Sequence, residues 1–142
     1  MNNSYHYAFK IKDLKSTRRF YADILGCNDG RSIEDWIDFD FFGSQTSAHV
    51  GQVDNMLDYC GNVDGISVLI PHFGCLLTEK QFEMMRLKLE GADIEFVVNP
   101  QARYKGHSSQ PLTIFVIDLS GNALKFKSFK DGTKMYCKEG IH

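Results

Sequence analysis

The chain has 142 residues, 43% of them hydrophobic and 24% charged, with a net charge of −2. That length and balance suit one domain with a proper core and exclude a disordered chain. With no run of Lys or Arg there is no electrostatic footing for nucleic acid, and no apolar stretch approaches the roughly 20 residues a membrane-spanning helix needs.

The first strand is predicted at Tyr5 to Ile11, where apolar residues alternate. Asp13 is placed to cap a helix whose apolar face is Leu14, Phe20, Tyr21, Ile24 and Leu25, and Gly26 stands where that helix stops. Short strands follow around Asn28 to Ser32, at Trp36 to Phe42 and at Thr46 to Gln52, the last two joined by a turn at Gly43 and Ser44. The polar stretch Asp54 to Asp64 reads as a linker.

The same order then starts again. A strand runs from Ile66 to Leu77, and Thr78 and Gln81 have the spacing of a capping box. Phe82, Met85 and Leu89 form the buried face of a second helix that Gly91 ends. Strands at Asp93 to Val98, Leu112 to Ile117 and Ala123 to Phe129 complete the module, with a turn at Asp118 to Asn122. The long loop Asn99 to Pro111 has no counterpart in the first half and suits a lid.

The chain therefore reads as β-α-β-β-β twice, an α+β protein of one domain. Module one spans about 5–53, the linker 54–65, module two about 66–130 and a C-terminal tail 131–142. One helix covers only one face of each module's strands. Two modules together should form a curved, mostly antiparallel sheet that encloses a cup, with the helices outside.

Side chains alternate along a strand, so neighbours report the opposite face. His6 lies between Tyr5 and Tyr7, His49 between Ala48 and Val50, His72 between Pro71 and Phe73, and Lys125 between Leu124 and Phe126. In all four strands the apolar neighbours would pack under a helix and the polar residue would face the cup. Three strand histidines in phase are a candidate metal site; imidazole suits zinc, iron, nickel and manganese alike. Asp38 and Asp40 share the phase of Trp36 and could hydrogen-bond a ligand.

Cys27, Cys60, Cys75 and Cys137 show no CxxC spacing and are expected as free thiols in a reducing compartment. The N-terminus lacks a charged-then-apolar leader, so a cytoplasmic location is expected.

Several stretches together resemble the vicinal oxygen chelate superfamily, which includes glyoxalase I, bleomycin-resistance proteins and extradiol dioxygenases. They are His6-Tyr-Ala-Phe-Lys-Ile-Lys-Asp-Leu14, Arg19-Phe-Tyr-Ala-Asp-Ile-Leu-Gly-Cys27, Gly30-Arg-Ser32, Trp36-Ile-Asp-Phe-Asp-Phe-Phe-Gly43, Pro71-His-Phe-Gly74 and Ser120-Gly-Asn-Ala-Leu-Lys-Phe-Lys127. Within that superfamily the chain looks most like small bacterial extradiol-type dioxygenases. The resemblance implies a divalent metal in the cup, chelated by substrate oxygens. The first and last strands of each module would hold it, which puts the ligand places at His6, His49, His72 and Lys125.

Lys125 departs from the family pattern, which has glutamate after Gly-Asn-x-Leu. Neutralising a lysine at pH 7 from a pKa of about 10.4 costs roughly 4.6 kcal/mol, and a charged ammonium repels a divalent cation. Two outcomes follow: a weaker site of His6, His49 and His72 with water in the open position, or no metal, with Lys125 binding an anionic ligand. The leading expectation is a metal-dependent enzyme acting on a small oxygenated substrate, catechol-like or alpha-keto, such as a ring-cleaving dioxygenase. The alternative is a metal-free protein that sequesters a small molecule in the same cup. Arg103 and Gln110 bracket the loop over the pocket and are candidate substrate-binding residues, with His107 on the same loop. A homodimer is expected from the resemblance.

Overall fold

The computed structural model describes residues 3–53, 57–63, 66–101 and 111–130. Arg103, His107 and Gln110 lie outside the described residues. Contacts group the chain into two compact units, Met1–Asn55 with Asp118–Asn122, and Met56–Ile117 with Ala123–His142.

The first unit opens with β1 (His6–Ile11) and α1 (Leu14–Arg18). Asp13 is the N-cap: its Oδ1 accepts from the Ser16 N–H and hydroxyl, each at 2.7 Å. The helix then widens into π-helical turns over Arg19–Ile24, where the Leu25 N–H reaches back to the Phe20 carbonyl at 2.9 Å. That winding keeps Phe20, Tyr21 and Ile24 all buried. Gly26, at φ 79°, supplies the left-handed residue that ends it.

Three strands follow, β2 (Asn28–Ile33), β3 (Trp36–Phe41) and β4 (Ser44–Val50). The β3–β4 turn consists of Phe42 and Gly43, both at positive φ (53° and 92°), as a tight hairpin requires. Ser44 is already strand. The sheet order is β1-β4-β3-β2, with β1 and β4 parallel and the other pairs antiparallel. One face is apolar: Phe9, Ile11, Ile37, Phe39, Phe41 and Ala48 are buried with the helix residues Phe20 and Tyr21. The Tyr21 ring lies 5.4 Å from both Phe9 and Phe39.

The second unit begins with a hairpin, β5 (Asp58–Val63) and β6 (Ile66–Ile70), which among the described residues form a two-stranded sheet of their own. The stretch read as a linker thus contains a strand. The single strand expected over Ile66 to Leu77 is two, because Pro71 has no N–H to continue a ladder; β7 (His72–Leu76) joins a different sheet from β6. After β7 come α2 (Glu79–Glu90), β8 (Glu95–Gln101), β9 (Leu112–Ile117) and β10 (Ala123–Ser128). The Thr78 and Gln81 capping box forms with both bonds, and Phe82, Met85 and Leu89 are buried. Arg86 links Glu83 and Glu90 along the exposed side of α2.

This sheet runs β7-β10-β9-β8, again with the outer pair parallel and the rest antiparallel. The repeat read from the sequence is therefore a repeat of topology: the chain is an α+β protein of two β-α-β-β-β modules. Its second sheet buries Leu124, Phe126, Ile114 and Val116 on one face. On the other face Val68 and Leu69 of the hairpin cluster with Phe115, Ala123 and Ile117.

Candidate functional site

The polar face of the first sheet carries the residues singled out by phase. Strand register places His6 opposite Gln45, and His49 opposite both Lys10 and Trp36. His49 is thus four positions beyond the partner of His6, roughly 13 Å along the strand. The two histidines share a face and are not brought together. Imidazole nitrogens ligating one zinc each stand only about 2 Å from it, so this separation is too great for a shared ion. His49 stacks loosely near Trp36, 6.3 Å between ring centroids, and Arg31 lies 5.6 Å over the Trp36 ring.

His6 is exposed, and its real neighbours form a chain of hydrogen bonds. His6 Nδ1 is 3.1 Å from Gln45 Oε1, Gln45 Nε2 donates to Asp38 Oδ2 at 3.3 Å, and the Ser47 hydroxyl donates to Asp38 Oδ1 at 2.6 Å. Asp38 is 8% exposed, so it is a built-in acceptor and not a solvated acid. Asp40 is different: its Oδ1 accepts from the Gly43 N–H and serves the turn.

On the second sheet His72 is half-buried, and its Nδ1 lies 2.7 Å from the Leu69 carbonyl oxygen. A carbonyl only accepts, so Nδ1 carries the hydrogen and Nε2 the lone pair. Burial pushes the His72 pKa down; the Leu69 bond opposes this, while the charges of Lys125 and Lys127 press the same way as burial. His72 is therefore a neutral imidazole at neutral pH.

Lys125 pairs in register with Gly74 and Phe115. Its Nζ lies 5.5 Å from the centre of the Phe115 ring, and His72 meets that ring edge-on at 5.0 Å. Phe115 thus meets both the ammonium and the imidazole on one face. Among the described residues one surface hollow of 430 Å³ lies beside Leu76, Thr78 and Lys130, and another of 180 Å³ beside Cys27, Asp40 and Gly43.

The motif Ser120-Gly-Asn122 turns out to be structural. Ser120 Oγ accepts from the Lys12 N–H at 3.0 Å, and Asn122 Nδ2 donates to the Lys10 carbonyl at 2.9 Å. Asp118, 6% exposed, holds the turn by accepting from the backbone N–H groups of Ser120 and Asn122. Tyr21 donates to its second oxygen at 2.7 Å.

Comparison with solved structures decides the family. A glyoxalase/bleomycin resistance protein/dioxygenase from Alicyclobacillus acidocaldarius is 31% identical, with a TM-score of 0.75 over 95% of this chain and 97% of that one. The chain belongs to the vicinal oxygen chelate superfamily. The fold extends to more distant structures. The fosfomycin resistance protein FosX from Listeria monocytogenes is 13% identical, at TM-score 0.68 over 94% of this chain and 98% of that one. A glyoxalase/dioxygenase from Nostoc punctiforme is 12% identical, at TM-score 0.67 over 92% of each chain. No protein-family model matches the sequence, and neither does any curated protein.

Vicinal oxygen chelate proteins generally depend on a metal. Among the described residues no three His, Cys, Asp or Glu side chains converge. Lys125 stands where the family pattern has a carboxylate, and an ammonium has no lone pair to offer. Gln45 and Asp38 are the residues that phase alone undervalued. The tight Phe42–Gly43 turn was the available signal, because a two-residue hairpin pairs Asp40 with Gln45 and Asp38 with Ser47. Among the described residues no helix is long and apolar enough to cross a membrane.

Proposed function

We propose that this member of the superfamily binds a small anionic molecule on the face of its second sheet that carries Lys125 and His72, without a metal. The Lys125 ammonium would be the charge partner, and His72 Nε2 would accept a hydrogen from a hydroxyl or N–H of the same molecule. The observation that carries this reading is Lys125 itself. It lies two residues beyond Ala123, the strand partner of His72, and it lies close enough for its charge to lower the basicity of that ring. A neutral acceptor beside a fixed cation suits an anion that also carries a donor, such as a hydroxy acid.

Calorimetric titration of chelator-treated protein with a panel of small hydroxycarboxylates tests this. Binding that survives chelation and is lost in Lys125→Met supports it. Binding only after metal is restored, or equal binding by the variant, removes it.

A second reading keeps the superfamily's metal and makes the protein an enzyme on a catechol-like or alpha-keto substrate. It is favoured by His72, whose Nδ1 is spent on a carbonyl so that Nε2 keeps its lone pair for a ligand, the arrangement that metal-ligating histidines adopt. Lys125→Glu discriminates between the readings. A large gain in affinity for iron, manganese, zinc or nickel supports a metal site altered at one ligand, whereas unchanged affinity leaves the anion reading. A homodimer belongs to the same proposal, on the strength of the family resemblance, and light scattering checks it.

A further inference from the structure

We infer that Asp38 is a positioning residue which, through Gln45, decides which ring nitrogen of His6 is presented to a ligand. The inference goes beyond the anion reading, which uses neither residue, and stands on the first unit alone.

The logic is one of donors and acceptors. An ionised carboxylate only accepts hydrogen bonds, whereas a side-chain amide has one accepting end and one donating end. Asp38 is anchored in place: it is 8% exposed and its Oδ1 takes the Ser47 hydroxyl at 2.6 Å. Its other oxygen faces Gln45 at 3.3 Å. The amide must turn its NH₂ toward that oxygen, because the opposite orientation sets two acceptors against each other. Gln45 Oε1 is thereby aimed at His6, 3.1 Å from Nδ1. A carbonyl oxygen there requires a hydrogen on Nδ1. In the neutral ring Nε2 is then the acceptor, and the group it meets is a donor, a hydroxyl or an N–H. The buried acid thus sets the hydrogen-bond polarity of an exposed imidazole two side chains away.

Changing one atom should reverse the polarity of the whole chain. In Asp38→Asn the new amide keeps its oxygen toward the Ser47 hydroxyl and turns its NH₂ toward Gln45. Gln45 then flips to accept that hydrogen and offers its own NH₂ to His6, which must accept at Nδ1 and carry its hydrogen on Nε2.

Two-bond nitrogen–proton NMR spectra of ¹⁵N-histidine-labelled protein read the tautomer directly, at about pH 8.5, above the ordinary imidazole range. The wild type should show His6 with hydrogen on Nδ1, and Asp38→Asn should exchange it for hydrogen on Nε2. Ser47→Ala leaves the carboxylate facing Gln45 and should keep the wild-type pattern. A wild type with hydrogen on Nε2, an Asp38→Asn variant that keeps the Nδ1 form, or a switch in the Ser47 variant would each overturn the inference. Should Asp38→Asn fail to fold, Gln45→Ala at its exposed position serves instead. Loss of the Nδ1 preference supports the relay, and its retention overturns it. None of these readouts requires a bound ligand, so they fail or succeed apart from the proposed function.

Discussion

Lys125 and Ser47 occupy the same place in the two halves of the repeat, each two residues beyond the strand partner of its module's histidine. Those partners are Ala123 for His72 and Gln45 for His6. His49, expected as the counterpart of Lys125, corresponds to Lys127. The exchange of serine for lysine gives the two modules different polar faces. The first is a hydrogen-bonded relay around Asp38, and the second is a cation beside an aromatic ring and a neutral histidine.

His49→Ala is accordingly expected to leave the His6 ring signals in nitrogen NMR spectra unchanged, because four residues of strand separate the rings. Gln45→Ala moves those signals. A shift of comparable size in both variants would contradict the register.

Tyr21→Phe removes a buried bond to a carboxylate, with the partner Asp118 Oδ2 at 2.7 Å. Asn122 Nδ2 still donates to that oxygen at 3.0 Å, so the loss should be about 1–3 kcal/mol, measured by urea unfolding. Burial raises the Tyr21 pKa well above its ordinary value of 10.0, and the Asp118 charge adds to the effect. Since the folded form keeps a proton that the unfolded form releases, stability is full below about pH 10 and falls as pH rises above it. The variant should lack this residue's share of the alkaline decline.

Gly74→Ala is expected to destabilise strongly. A Cβ on residue 74 would overlap the backbone carbonyl of Lys125 on the adjoining strand, a close approach that only glycine permits. A loss of about 3 kcal/mol, the upper part of the range for overpacking, should appear as a lower urea midpoint. A Gly74→Ala variant as stable as the parent would show that β7 and β10 sit further apart.

Thr78→Ala breaks the capping box, in which Thr78 Oγ1 accepts from the Gln81 N–H and Gln81 Oε1 accepts from the Thr78 N–H. The expected cost is about 1 kcal/mol, again by urea unfolding. Glu79→Ala, a first-turn neighbour outside the box, should cost less.

Both helices, their caps and most strands were legible because they depend on near neighbours. Asp13 bonds three residues ahead, Thr78 and Gln81 bond each other, and the apolar residues of each helix follow its own periodicity. The strand phases were legible in part: Phe9, Ile37, Phe39, Ala48, Leu124 and Phe126 are buried, on the faces opposite His6, Asp38, His49 and Lys125, whereas Tyr5, Tyr7 and Val50, expected under a helix beside His6 and His49, are exposed. Polar residues hid β5, whose pairing with β6 comes from partners and not from a strong apolar pattern of its own.

Alternation along a strand tells which way a side chain faces but not how far one strand has slid past another. The parallel pairing of β1 with β4 joins segments far apart in the chain. Its register comes from packing of the whole sheet against the helix, and nothing local encodes it. The amino-acid order was therefore enough to establish two modules and their caps, and which strands bear His6, His49, His72 and Lys125. That Gln45 and Asp38 stand with His6 while His49 does not is a matter of strand registration, a property of the assembled sheet.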